Sequence, residues 1–378
     1  MTSPSEERLS SLLVDLLAQP CVTGDEGAIA GWLADRYGGA GEEVTRVGNS
    51  LVVGPSARDR PTVLLVGHID VVPPTDADIE PRVEGDRIVG RGASDMKSGL
   101  AVAMDCFEDP ALRSGAYALR LVAYAGEEGP HETNELGAVL SQVPDLDAAA
   151  LAIVLEPTDL EVQLGCLGTL NAHVRIHGKA AHSARPWHGD NALTKAGALL
   201  SALHAGAPAD VEIDGLTYRE VVTATQAWTD NARNVVPDLL TLNLNYRFSP
   251  LRTLGVAEQA LVGLVGDHGV VDVVDRAPAA PPRRDDPLVD AFVRAVDAPV
   301  APKQAWTDVA RFAEHGVPAL NYGPGLAAQA HQDGEYVPAG NLPLAREGLA
   351  RFLHGGRSSR HHHETHGEDE AHGTATTG

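Results

Sequence analysis

The chain has 378 residues, 43% of them hydrophobic, which is ample for a packed interior and predicts roughly two domains of ~150 residues rather than a disordered or fibrous polymer. A formal charge of -23 argues against a nucleic acid partner, because phosphate-backbone binding needs clustered Lys and Arg to displace counterions. Three cysteines, Cys21, Cys106 and Cys166, without CxxC spacing argue against a disulfide framework or a thiolate zinc site.

The opening MTSPSEERLS has neither the basic segment nor the apolar stretch of a secretion signal. No apolar run approaches the ~20 residues needed to span a bilayer. A soluble, cytoplasmic protein with no membrane partner is the expectation. Leu9, Leu12, Leu13, Leu16 and Leu17 recur at helical spacing behind Ser3-Pro4, which predicts an amphipathic helix closed by Pro20. Residues 25–37 read as a second helix. Short apolar runs follow at 61–67 (PTVLLVG), 117–125 (YALRLVAYA) and 148–155 (AAALAIVL), the pattern of buried strands in a central sheet, so this half is α/β.

From Gly168 the pattern changes: strand 168–178, helix 191–204, strands 220–228 and 239–249, helix 253–265, and strand 270–274. This βαββαβ order predicts a ferredoxin-like α+β unit over 168–280. Beyond the APAAPPRRDDP linker, a helix near 287–296, an apolar strand VPALNYG and a last helix over 341–353 restore the α/β character. The expected organisation is therefore a discontinuous catalytic domain, 1–167 and 281–355, interrupted by an inserted domain. Residues 356–378 lack apolar periodicity and read as a disordered tail. Five of the 16 histidines lie there, so metal gathering is the alternative to a solvated tail.

A hydrolytic two-metal site needs carboxylates and imidazoles converging on ions about 3.5 to 4 Å apart, with one carboxylate left free as base. His68 and Asp70 follow the strand PTVLLVG, and a two-residue period sends both side chains to one side. His68 is then a metal ligand with Asp70 on its other ring nitrogen, or equally a hydrogen-bonded structural histidine. Asp95, in the glycine-rich GRGASDMKSG before a helix, is either a bridging carboxylate or a helix cap. Glu127 and Glu128 in AGEEG are neighbours that on extended backbone point opposite ways, one to metal and one to substrate, or else solvated turn residues. Glu156 in LEPTD and His331, ahead of Asp333 and Glu335, complete the set. Most of these groups sit just past strand ends, where open α/β sheets place their sites.

GHIDVVP, GRGASDMKSG, AGEEG, LEPTD and AHQDGEYV, in this order around a βαββαβ insertion, resemble the M20 metallopeptidase family over about residues 5–355. AHSARPWHGDNA, IDGLTYRE, NARNVVPD, LNYRFSP and WTDVARF resemble most its succinyl-diaminopimelate desuccinylase branch of the actinobacterial kind. The resemblance implies two zinc ions, one held by His68, Asp95 and Glu156 and the other by Asp95, Glu128 and His331. Cobalt or manganese would suit the same oxygen and nitrogen donors. It also implies Glu127 as general base and a cis peptide after Asp95, and Asp70, as the partner of the other His68 ring nitrogen, is counted with Glu127 among the catalytic residues. The inserted domain would form a homodimer and lend His182 to the partner's site. Asn234, Arg247 and Thr307 match substrate positions, and Arg185, with Lys179 as substitute, is a further cation for a small anionic N-acyl amino acid. Leu326-Ala327-Ala328 and Gly334 depart from the branch pattern. That leaves N-acetylornithine deacetylase, aminoacylase and carboxypeptidase activities open, together with a non-catalytic metal-binding member of the family.

Overall fold

The computed structural model describes residues 3–57 and 59–355; the expected tail at 356–378 lies outside the described residues. Eight strands form a mixed sheet in the spatial order Val44–Val47, Ser50–Val53, Ala118–Tyr124, Thr62–His68, Leu151–Val154, Ala319–Asn321, Val162–Leu164 and Val300–Pro302. The three apolar runs read as strands lie at its middle and pair in parallel. Their alternation divides the side chains between two cores. Val63 and Leu65 join one with the helices Pro4–Leu17, Gly27–Gly39 and Ser98–Glu108, while Leu64 and Val66 join the other with Leu136–Gln142 and Val309–Glu314. Full burial of each such side chain contributes about 1.5 to 3 kcal/mol, so a one-residue slip of register would exchange the two faces at prohibitive cost.

The first helix starts as its sequence requires. Ser3 accepts the Glu6 amide at 3.2 Å, and Pro4 occupies the first turn, where a missing N–H costs nothing. The late helices Pro287–Val296 and Asn341–Leu353 place Val289, Phe292, Leu342 and Leu349 in the same core as Leu9 and Leu13. Residues after 287 thus come back to the first sheet. Among the described residues no helix is long and apolar enough to cross a membrane.

A second, wholly antiparallel sheet runs Ala209–Ile213, Leu216–Trp228, Leu239–Phe248, Gly168–His177, Val270–Ala277. Its last four strands have the neighbour order of a ferredoxin-like unit. Helices, the first of them broken at Ala196, pack a third core on one face with Leu170, Val174, Leu242 and Leu261. The other face carries hydrogen-bonded Asn171, Asn243 and Asn245. The edge strand Ala209–Ile213 was not expected. Its signal was the Asp-Gly pair: Asp214 and Gly215, with φ of 51° and 76°, make the left-handed turn that closes a two-residue hairpin.

Candidate metal centre

His68 ends its strand fully buried. Its Nδ1 lies 3.0 Å from the Asp70 backbone carbonyl and 3.6 Å from the Asp70 carboxylate, so the carbonyl makes the hydrogen bond that orients the ring. Nε2 is thereby directed at Asp95 Oδ1, 3.3 Å away. The Asp70 carboxylate is engaged elsewhere. It accepts the amides of Glu127 and Glu128 at 3.1 and 3.0 Å and the Thr23 hydroxyl at 3.0 Å.

Those amides belong to a turn, not to extended backbone as the sequence suggested. Gly126 makes the bend at φ 78°, where a Cβ would meet the Thr133 carbonyl at 2.6 Å. In the turn both glutamates present an oxygen to His68, but Glu128 alone also joins Asp95 and His331.

Asp95 follows a loop that leads into the helix Ser98–Glu108, and the Asp95–Met96 peptide is cis, as the resemblance implied. The helix has no side-chain cap, which removes the support for a capping aspartate. Instead one carboxylate oxygen faces His68 and the other stands 3.8 Å from His331 Nε2. His331 is half exposed, has φ 62°, and places Nε2 2.8 Å from Glu128. Among the described residues three groups have donor atoms within 4.8 Å of one another, His68–Asp95–Glu156, Asp95–Glu128–His331 and His68–Glu127–Glu128, and Asp95 is common to the first two.

The electrostatics of this cluster call for cations. Burial lifts the Glu127 carboxyl well above its ordinary value, opposed by His68 and reinforced by Glu156, Asp308 and Glu128. Glu156 is pushed up to about 7, first by burial and then by Asp95. Burial disfavours a charged His68, yet the Asp95 hydrogen bond and the charges of Glu127 and Asp70 outweigh it and raise its pKa. Glu156 Oε1 is buried without a hydrogen-bond partner. Carboxylates that suppress one another's ionisation, an orphaned buried oxygen and an all oxygen and nitrogen donor set together fit divalent metal ions.

The remaining sequence candidates fall in three places. Ala181–His182 pairs with Val235–Val236, the Ser183 amide donates to the Asn234 carbonyl at 2.8 Å, and the Arg185 amide donates to the His182 carbonyl at 2.7 Å. His182, Arg185 and Asn234 are thus brought together, but none enters a ligand set among the described residues. Arg247, on the second sheet, donates to Asn245 at 3.1 Å, and burial lowers its pKa against the pull of Asp275. Thr307 is buried beside Asp308 with Oγ1 unpartnered.

Sequence reasoning overlooked two neighbours. Asp308 is fully buried and accepts from Tyr124 at 2.7 Å and from Asn134 at 3.0 Å; Lys303, also buried, donates to the Pro157 carbonyl at 3.1 Å and lends its charge to Asp95 and Glu156. Only the WTDVARF segment pointed toward Asp308, because burial of a charge depends on distant partners that periodicity does not show.

Comparison with known proteins places this architecture. Residues 64–355 match the family described as Peptidase family M20/M25/M40. The putative succinyl-diaminopimelate desuccinylase DapE of Mycobacterium tuberculosis is 38% identical over 350 residues, covering 92% of this chain and 97% of its own length. The succinyl-diaminopimelate desuccinylase of Corynebacterium glutamicum is 38% identical over 354 residues, 91% of this chain and 95% of that one. A tripeptidase from Staphylococcus aureus superposes with a TM-score of 0.74 at 20% identity, covering 92% of this chain and 98% of that one, which shows a shared fold. With most of its length matched and its carboxylates and imidazoles gathered at the ends of the central strands, the chain belongs to peptidase family M20/M25/M40 and is a metal-dependent amide hydrolase.

Proposed function

We propose that the protein is a cytoplasmic, homodimeric di-zinc desuccinylase that cleaves N-succinyl-LL-2,6-diaminopimelate into succinate and LL-diaminopimelate. The observation that carries the chemistry is the pair of ligand sets sharing Asp95. The two desuccinylase relatives at 38% identity support the substrate. His68, Asp95 and Glu156 would hold one zinc, and Asp95, Glu128 and His331 the other. When bound, the ions supply Lewis acidity and bring the pKa of water toward ~7. Glu127 takes the proton of the attacking water and returns it to the departing amine. His182 from the partner donates to the carbonyl oxygen as negative charge builds there. The substrate is anionic and the chain carries a formal charge of -23, so local cations must offset the overall field. Arg247 and Arg185, with Asn234 and Thr307, take that role.

Turnover of N-succinyl-LL-diaminopimelate, N-acetylornithine, N-acyl amino acids and peptides tests the reading. The succinyl substrate should lead by about 100-fold in kcat/KM, because a site that pairs a polar group rejects analogues lacking it. A lead for another acyl group would keep the family chemistry and reject this substrate.

Metal uptake should be proton-linked. In the metal-free protein the Glu156 pKa is raised to about 7, so its contribution to stability is present below the ordinary carboxylate range and lost as pH rises through about 7. Glu156 would have to release that proton to hold a cation. The thermal stabilisation gained on adding zinc to stripped protein should therefore shrink as pH falls from about 8 to about 5.5. A pH-independent gain would remove Glu156 from the ligand set.

Support for the dimer comes from the second sheet. Strand Leu216–Trp228 pairs with Ala209–Ile213 only as far as Glu220, which leaves 221–228 without a partner on that side among the described residues. An apolar groove lined by Leu200, Leu203, Val222, Ala224 and Leu264 adjoins it. A long open edge beside apolar surface is a ready surface for two-fold pairing.

The reading predicts complementation. His182→Ala and Glu127→Gln chains, each nearly inactive, should regain roughly a quarter of wild-type sites once subunits exchange at random, since half the dimers are mixed and one site in each is whole. Absence of recovery under proven exchange would place His182 in its own subunit's site.

A further inference from the structure

Glu335 takes no part in the proposed chemistry, yet its carboxylate accepts four hydrogen bonds. It is 1% exposed. Its Oε1 accepts the amides of Ser94 and Asp95 at 2.8 and 2.9 Å, and its Oε2 accepts the Gly92 amide and an Arg91 guanidinium N–H, both at 3.0 Å. Three amides of one short loop thus converge on a single side chain. Gly92 allows this, with φ 86° and no room for a Cβ against Val71.

The base of Glu335 is fixed in turn. Arg91 reaches Asp78 at 3.0 Å, Asp78 accepts the Gly334 amide at 3.2 Å, and the Gly90 amide donates to the Glu335 carbonyl at 3.0 Å. Ser94 adds a bond from its hydroxyl to the Tyr336 carbonyl at 2.7 Å and accepts the Leu326 amide at 3.0 Å. The loop that carries Asp95 and the segment that carries His331, remote in sequence, are joined as one hydrogen-bonded unit. Asp95 needs such a mount. Its carboxylate must straddle two sets, one oxygen 3.3 Å from His68 and the other 3.8 Å from His331, and a small rotation of its backbone would favour one set at the expense of the other.

We propose that Glu335 is a positioning residue for the metal centre, which holds Asp95 at the vertex common to the two ligand sets and keeps His331 within reach of the second. The inference rests on Asp95 and His331 being ligands. Groups that orient ligands from behind typically change metal affinity 10- to 100-fold when replaced.

The test uses the full chain loaded with Co2+ alone and compares Glu335→Gln and Glu335→Asp with wild type. Gln offers one acceptor oxygen to donors that now share two, and turns an N–H toward other N–H groups. Asp keeps both acceptors but sets them back by one methylene. Folded Glu335→Gln should show a displaced visible cobalt spectrum, affinity for the second ion weakened by at least about tenfold, and a lower kcat with KM within about threefold. Glu335→Asp should lie between it and wild type, and it carries the test if the Gln variant does not fold. A wild-type cobalt spectrum and affinity in the folded variant would overturn the proposal and leave Glu335 a fold-stabilising residue. Asp95→Ala separates the two levels. If that variant keeps its cobalt, the ligand assignment itself fails; if it loses cobalt while the Glu335 variants are unchanged, only this inference fails.

Discussion

Glu127→Gln is expected to bind both metal ions and to lose roughly 100-fold or more of kcat, the range set by removal of a general base. The geometry makes the two glutamates unequal. Glu127 shares a group with His68 and Glu128 but belongs to neither set that contains Asp95, whereas Glu128 stands 2.8 Å from His331. The amide variant fills the same space, and the bend is held by backbone amides on Asp70, so the turn should survive the change. Metal analysis alongside steady-state kinetics decides the matter. The companion Glu128→Gln should lose one ion, and loss of metal from Glu127→Gln instead would exchange the two roles.

Asp95→Ala should empty both positions at once and leave only background activity. A residue common to two ligand sets also screens two cations from each other, so its removal weakens both sites together. Loss of a helix cap would cost only ~1 kcal/mol and spare the metal content. The absence of any side-chain cap on Ser98–Glu108 already speaks for the first outcome. Elemental analysis of dialysed protein checks it, and near-normal metal with reduced thermal stability would restore the capping role.

Much of the architecture was legible because its elements are long or strongly punctuated. Asp286-Pro287 marks the start of a helix that runs to Val296, and the short apolar runs around Leu65 and Leu121, the second broken by Arg120 alone, read as buried strands. Three-residue strands such as Val300–Pro302 have too few positions to show a period, and their place at the sheet edge is set by pairing with Val162–Leu164. The local order of the site residues along the chain was equally readable, since most of them follow an apolar run. Their orientation was not. Glu127 and Glu128 lie in a bend rather than on a strand, and which part of Asp70 reaches His68 depends on where the carboxylate finds better donors. Asp308 and Lys303 were hidden for a similar reason, because their partners Tyr124 and Pro157 are far away in sequence.

The order of strands has a consequence for synthesis. Ala319–Asn321 lies between Leu151–Val154 and Val162–Leu164, so the gap between two early strands is closed by a segment made about 155 residues after the second of them. Until that segment leaves the ribosome, Leu151–Val154 is an open edge and Val162–Leu164 is not yet joined to it, and long-range pairing of this kind is slow and prone to aggregation. His331 emerges later still. On the proposed ligand assignment, neither the second set nor the hydrogen bonds that seat the Asp95 loop on Glu335 can form before the segment 331–335 has been made.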